Sequence, residues 1–184
     1  MRRLKCSYGY TTMVWRRIQA ERRRGRAFQP RFASHHVLAS WLGGLLAITA
    51  LGLISSWSHY ALVVAPFGAS TVLLFGHPNS PLAQPRNIVL GNTSAALVSV
   101  VCVGLFGSAP WVMGLAVGGT IALGQLLRCL HPPAGAVALL GVLLQAKPTF
   151  VLMPVLSGSL LLTLLAVLFS RMLPAAESYP HHWF

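Results

Sequence analysis

Apolar residues dominate six blocks of this chain, at roughly 36–57, 60–75, 87–107, 109–129, 133–146 and 150–172. Each block reads as a helix. A helix needs about 20 apolar residues to cross the hydrocarbon core of a bilayer, and the first, third, fourth and sixth blocks reach that length. The second and fifth are shorter and contain proline, Pro66 in one and Pro132-Pro133 at the start of the other. The expected fold is an all-α membrane protein, a small bundle of about six hydrophobic helices in which helices 2 and 5 are short and broken.

Charge sharpens this picture. From Phe32 to Ala176, 145 residues pass without one Asp or Glu, and with only Arg86, Arg128, Lys147 and Arg171 as cations. Such a stretch cannot face water over most of its surface and offers no carboxylate for acid–base or metal-assisted chemistry. Hydrophobic residues make up 55% of the 184, and the mean hydropathy is +0.66. Soluble enzymes therefore fall away, and transport becomes the first class to consider.

The net charge of +12 does not point to nucleic acid, because ten of the fourteen basic residues lie between Arg2 and Arg31. They form a tail ahead of the first block rather than a face of the core, and such residues are held on the cytoplasmic side. The expected organisation is a basic cytoplasmic tail over 1–34, a transmembrane domain over 35–173 and a short C-terminal tail over 174–184. Met13-Val14-Trp15 and Ile18 fit either a short interfacial helix or a disordered tail. No cleavage site follows the basic residues, and the tail is poor in Ser, which favours a bacterial inner membrane over an organelle. Cys6, Cys102 and Cys129 have no metal or disulfide spacing, and neither metal nor cofactor is expected.

The two halves match weakly, in order. Trp41-x-x-Gly44-Leu45 recurs as Trp111-x-x-Gly114-Leu115, and Pro66-x-Gly68-Ala69 as Pro133-x-Gly135-Ala136, offsets of 70 and 67. Pro85, Ser94 and Leu105-Phe106 recur as Pro148, Ser157 and Leu168-Phe169 at offset 63. Three crossings per half would invert the second half relative to the first, a 3+3 inverted repeat with its binding site at the broken helices. Six crossings place Arg86, Arg128 and Arg171 inside and only Lys147 outside. Were helices 2 and 5 re-entrant hairpins, Arg86 and Arg128 would move outside, against the positive-inside rule.

Two polar stretches interrupt the apolar sequence, His77 to Asn87 and Arg128 to Ala136. Pro132-Pro133 suits a helix start, with free backbone N–H groups near Ala134 to Ala136 and Gly135 allowing close approach. Pro66-Phe67-Gly68-Ala69-Ser70-Thr71 offers the same arrangement with two hydroxyls. Helix starts attract anions.

With Pro81-Leu82-Ala83-Gln84-Pro85-Arg86-Asn87, these motifs make residues 35–172 resemble the HPP family of integral membrane proteins. The resemblance implies a small helical membrane protein, commonly described with four spans, and some members, plastid ones included, are associated with nitrite transport. Local chemistry agrees with a small anion. Nothing acidic repels it, Arg86 and Arg128 attract it, and Ser70, Thr71, Gln84, Asn87 and Asn92 can donate hydrogen bonds. The candidate substrate site is therefore Pro66, Gly68, Ala69, Ser70, Thr71, Gln84, Arg86, Asn87, Asn92, Arg128, His131, Pro132, Pro133 and Gly135.

Each residue also has a plainer role. Arg86 and Arg128 can snorkel to headgroups, His131 can cap a helix or bond a carbonyl, and Gly114 and Gly118 can pack helices. If protons are coupled, His59, His77 and His131 are the titrating candidates. The partners expected are membrane lipid, a small anion and a second or third copy of the chain. Rival functions are an anion channel, a scaffold subunit, or an intramembrane hydrolase built on Ser157 or Ser159 with His131.

Overall fold

A computed structural model of the chain describes residues 4–28, 31–58, 65–173 and 175–183. Among these residues the regular structure is helical, with no strand. The chain divides into Met1–Ser34 and His35–Phe184. The first unit contains α1 (Leu4–Phe28), so the basic tail is helical rather than irregular. Residues 13–25 of α1 are all exposed, and its Arg24–Glu21 pair at 3.3 Å is a surface contact of little energetic weight.

The second unit is built from α2 (Ser34–Ser58), α3 (Ala65–Gly76), α4 (Pro85–Phe106), α5 (Pro110–Leu126), α6 (Pro132–Leu143) and α7 (Ser157–Met172). Each expected block thus has its helix, and the chain is an all-α membrane protein. Ser34–Trp57, Pro85–Phe106 and Val151–Met172 are long and apolar enough to cross a membrane. Pro85, Pro110 and Pro132 each open a helix, where the N–H that proline lacks would have had no intrahelical partner. Before α7 the chain makes a π-helical stretch, Val151–Leu156, kinked where Met153 leaves helical geometry ahead of Pro154.

The fourth block falls short of expectation. α5 has 17 residues and stops at Leu126 instead of running to 129, because Arg128 takes a left-handed φ of 53°. Cys129 N–H then bonds Gly124 O at 2.8 Å and Arg128 N–H bonds Gln125 O at 3.2 Å, the paired closure of a Schellman turn. α6 ends the same way, with Gln145 at φ 49° and bonds from Ala146 to Gly141 and from Gln145 to Val142.

Hydrogen bonds between the links show which way each helix runs. At one end of the bundle, end A, His131 before α6 bonds Leu82 O before α4 at 2.9 Å, and Arg86 bonds Leu127 O after α5 at 2.8 Å. Tyr179 after α7 bonds Ala83 O at 2.9 Å, and His36 near the start of α2 lies 4.0 Å from Glu177. At the opposite end, end B, Gln145 after α6 bonds Ser108 between α4 and α5 at 3.1 Å. Hence α2, α4 and α6 run from A to B, and α3, α5 and α7 return. Among the described residues the chain passes six times between the two ends of the bundle, and α6 is no hairpin, since it starts at one end and finishes at the other.

Corresponding helices of the two halves (α2 and α5, α3 and α6, α4 and α7) therefore run in opposite senses. The two Pro-x-Gly-Ala elements hold the second, fourth and fifth positions of helices of equal length, 12 residues each. The third helices lie 66 residues apart at both ends, Pro85 to Val151 and Phe106 to Met172, rather than 63. Arg86, Arg128 and Arg171 gather at end A, and Lys147 sits at end B.

Packing crosses the halves. One core joins Ala95 and Ala96 of α4 with Val112 and Ala116 of α5 and Val137 and Val142 of α6. The other joins Ala47 and Leu51 of α2 with Phe67 and Leu74 of α3 and Leu162 and Ala166 of α7. Each half lends its third helix to the other half's bundle. Around these cores Trp41, Leu53, Val72, Leu105, Leu126 and Leu164 are exposed, the apolar exterior a bilayer requires.

Candidate functional site

At end A three segments are tied together by side chains gripping backbone carbonyls. The α3–α4 link is wound into a 3-10 turn, Pro81–Ala83, capped by Ser80, whose hydroxyl accepts from Leu82 N–H at 3.2 Å. Gln84 is buried here. Its amide donates to Pro78 O at 3.0 Å and Ser80 O at 2.9 Å, and accepts from His181 N–H at 3.0 Å. Gln84 thus spends its hydrogen bonds on the loop rather than on a free donor position.

Two neighbours on α4 hold the α5–α6 loop. Arg86 grips Leu127 O, and Asn87 donates to Leu130 O at 2.8 Å. Gly91, one turn deeper, lets that loop descend against the helix. A Cβ there would lie 2.8 Å from both Cys129 O and His131 Cβ. Gly91 is six residues into α4, so the loop dips by about 9 Å at 1.5 Å per residue.

At the bottom of the dip lies His131, 2% exposed. Its extended backbone, φ −133° and ψ 111°, is what a residue before proline adopts. Nδ1 is 2.9 Å from Leu82 O and Nε2 is 2.8 Å from the hydroxyl of Ser70. A carbonyl can only accept, so Nδ1 carries the proton; in the neutral ring Nε2 then accepts from Ser70. His131 and Ser70 join the start of α6 to the middle of α3.

The first turn of α6 differs from expectation. Pro132 and Pro133 have no N–H, and Ala134 N–H is given to His131 O at 2.9 Å, so no free donor precedes Gly135. Hydroxyls also turn inward: Thr71 donates to Phe67 O at 2.7 Å, Thr163 to Ser159 O and Ser94 to Gly91 O. Of the remaining site residues, Pro66 and Pro133 are buried, Gly135 is half-buried, and Gly68, Ala69, Pro132 and Arg128 are exposed. His77 is exposed, and His59 lies outside the described residues.

Midway through the bundle, α4 meets α7 at Asn92, which is wholly buried and donates to Ser159 Oγ at 3.1 Å. The residues stand 67 apart, the offset of the Pro-x-Gly-Ala elements. Asn92 Oδ1 and the adjacent Thr93 Oγ1 are buried without a hydrogen-bond partner. Such orphans are rare and call for an occupant or a water.

Residues 29–180 match the family model described as HPP, transmembrane region. The chain belongs to the HPP family. Two curated transmembrane proteins of Dictyostelium discoideum are 36% and 35% identical over 160 residues. Each alignment covers 78% of this chain and 54% or 50% of the relative, so the chain spans about half their length. No solved structure matches it.

In this HPP protein the family's namesake residues, His131-Pro132-Pro133, are the joint between the α5–α6 loop and α3. Sequence reasoning missed what surrounds them. Gly91 had no signal beyond being a glycine in an apolar block. Ser159 was weighed as a nucleophile with His131; it is instead held by Asn92, and Ser157 bonds Met153 Sδ at 2.9 Å. The C-terminal tail, expected only as a short end, is docked at end A. Its Tyr179 N–H bonds Ser170 Oγ at 2.8 Å, Glu177 accepts from Asn79 at 2.5 Å, and His181 Nε2 contacts Asn79. Burial pushes the Tyr179 phenol above its ordinary range, which keeps it a donor to Ala83 O.

Proposed function

We propose that this protein moves a small inorganic anion, nitrite foremost, across the membrane. The observation that carries this reading is Asn92, a wholly buried amide left half satisfied inside an acid-free bundle. Turned over, its amide accepts from Ser159 and presents Nδ2 as a free donor. A neutral donor binds an anion weakly enough to release it, as permeation requires. The polar path would run from the arginines of end A past Asn87 and the Ser70–His131 pair to Asn92. The Pro-x-Gly-Ala starts of α3 and α6 bound it, Gly68, Ala69 and Gly135 giving room and Thr71 lining it.

A carrier fits the two exchanged bundles, which could rock about the α4–α7 crossing. Protons, if coupled, have His131 and no carboxylate to travel by. The positive-inside rule makes end A cytoplasmic, and the bacterial inner membrane remains the proposed location. The open faces of Gly114 and Gly118 on α5, which touch nothing within 4 Å, are the proposed contact for a dimer or trimer.

The test is flux of nitrite, nitrate, formate and chloride in liposomes containing only this protein. Arg86→Ala and Arg128→Ala should slow uptake more than Lys147→Ala at matched levels, and equal effects would remove end A from the path. Rates far above carrier turnover, without counterflow, would replace the carrier with a channel. The 2.8 Å Ser70–His131 contact has the form of a nucleophile and its base, which favours a hydrolase as second reading. A serine-reactive fluorophosphonate should leave Ser70 unlabelled, since it is fully buried; labelling would turn the assignment to catalysis.

A further inference from the structure

One groove opens sideways between α2 and α3, with a volume of about 410 Å³, and is lined by Trp41, Leu45, Thr71 and Phe75 among others. It carries no charged side chain. Another, of about 380 Å³, lies between α4 and α7. Its walls are Val89 and Leu90 on one side and Leu160, Thr163, Leu164 and Val167 on the other, and at end A it is bounded by Pro85, Arg86 and Trp183. We propose that this second groove holds one acyl chain of an anionic phospholipid whose phosphate pairs with Arg86.

Length supports the assignment. From Leu160 to Val167 the α7 wall covers about 10 Å at 1.5 Å per residue, against about 15 Å for half the hydrocarbon core. The groove therefore begins at a headgroup-level cation and runs some two-thirds of the way into one leaflet. Its interior suits hydrocarbon, because the one wall hydroxyl, Thr163, is already given to Ser159 O at 2.8 Å.

Charge selects the headgroup. Arg86 uses Nη2 on Leu127 O, leaving other guanidinium donors for a paired contact to phosphate oxygens. Among the described residues no carboxylate pairs with it; the ion pairs present are Arg24–Glu21 and His36–Glu177. Trp183 stands half-exposed at the same mouth, as indoles do at headgroup depth. End A also carries Arg128 and Arg171, so the groove opens into the leaflet that holds anionic lipid. The α2–α3 groove has a similar volume but no cation, and so would accept only exchanging bulk lipid.

Native mass spectrometry of the purified full chain, exchanged into mixed micelles of phosphatidylglycerol and phosphatidylcholine, tests the proposal. One phosphatidylglycerol should be retained over phosphatidylcholine by about tenfold or more, the scale of a charge-assisted contact. Arg86→Gln should abolish the preference, and Leu164→Trp, which fills the groove from a half-exposed position, should abolish retention with helicity intact. Millimolar inorganic phosphate should leave the lipid bound. Equal retention of both lipids, unaltered retention in Leu164→Trp, or displacement by phosphate alone overturns the assignment. Lipid retention is read separately from anion flux, so a transport failure would leave this result standing.

Discussion

Replacing Gly91 by alanine is the sharpest probe of the end A architecture. The new Cβ would sit 2.8 Å from Cys129 O and from His131 Cβ. Both neighbours belong to the short loop and neither is the tip of a flexible side chain, so the loop must rise by several tenths of an ångström. Overpacking of this kind costs about 1–3 kcal/mol. The rise also stretches the Asn87–Leu130 and Ser70–His131 contacts, both at 2.8 Å, each contributing about 1 kcal/mol. A loss of about 2–4 kcal/mol is expected, a fall in Tm on the order of 5–10 °C for a chain this size. Thermal unfolding in detergent reads it, and liposome flux should fall with it. Gly104→Ala on the same helix meets nothing within 4 Å and should raise Tm slightly through helix propensity. Equal Tm values for the two variants would refute the close approach and the dipped loop with it.

Arg128→Gly relieves a left-handed backbone and should stabilise the protein by about 1 kcal/mol, while slowing anion uptake because the cation is lost; Gln145→Gly, at the matching turn of end B, should stabilise equally and leave uptake unchanged. Uptake that is unaffected by Arg128→Gly would make that residue purely structural. Asn92→Leu leaves the buried Ser159 hydroxyl without its partner and should cost about 1–3 kcal/mol of stability, and it should lower flux by about tenfold or more, the scale of one lost donor; undiminished flux at matched protein levels removes Asn92 from the path. In a cysteine-free background, Arg128→Cys and Lys147→Cys should react with an impermeant maleimide from opposite sides of sealed vesicles. Labelling from one side would contradict six passes.

The helices were legible because apolar length and prolines at helix starts are local signals; Pro85, Pro110 and Pro132 mark their own first turns. The end of α5 was not, because the left-handed residue that closes it is Arg128, where glycine is the usual sign. Inversion showed weakly in the repeated Pro-x-Gly-Ala. The exchange of third helices left no trace, since Leu, Val and Ala pack as readily against one neighbour as another. At the site, Ser70 and His131 were visible in their motifs, but the partner that fixes the histidine, Leu82 O, is backbone and has no residue signature. Gln84 and Thr71 looked like substrate donors because their chemistry permits it, and only geometry shows their protons already committed.

The exchanged third helices also constrain how the molecule is made. As the chain emerges, α4 reaches the membrane before α5, α6 and α7, against which most of its buried face packs, have been synthesised, and α2 and α3 wait for α7. No prefix of the chain contains a finished core for α2 and α3. An HPP chain interrupted anywhere before α7 would present apolar, unpaired helices to quality control, so the bundle closes only once α7 has been made.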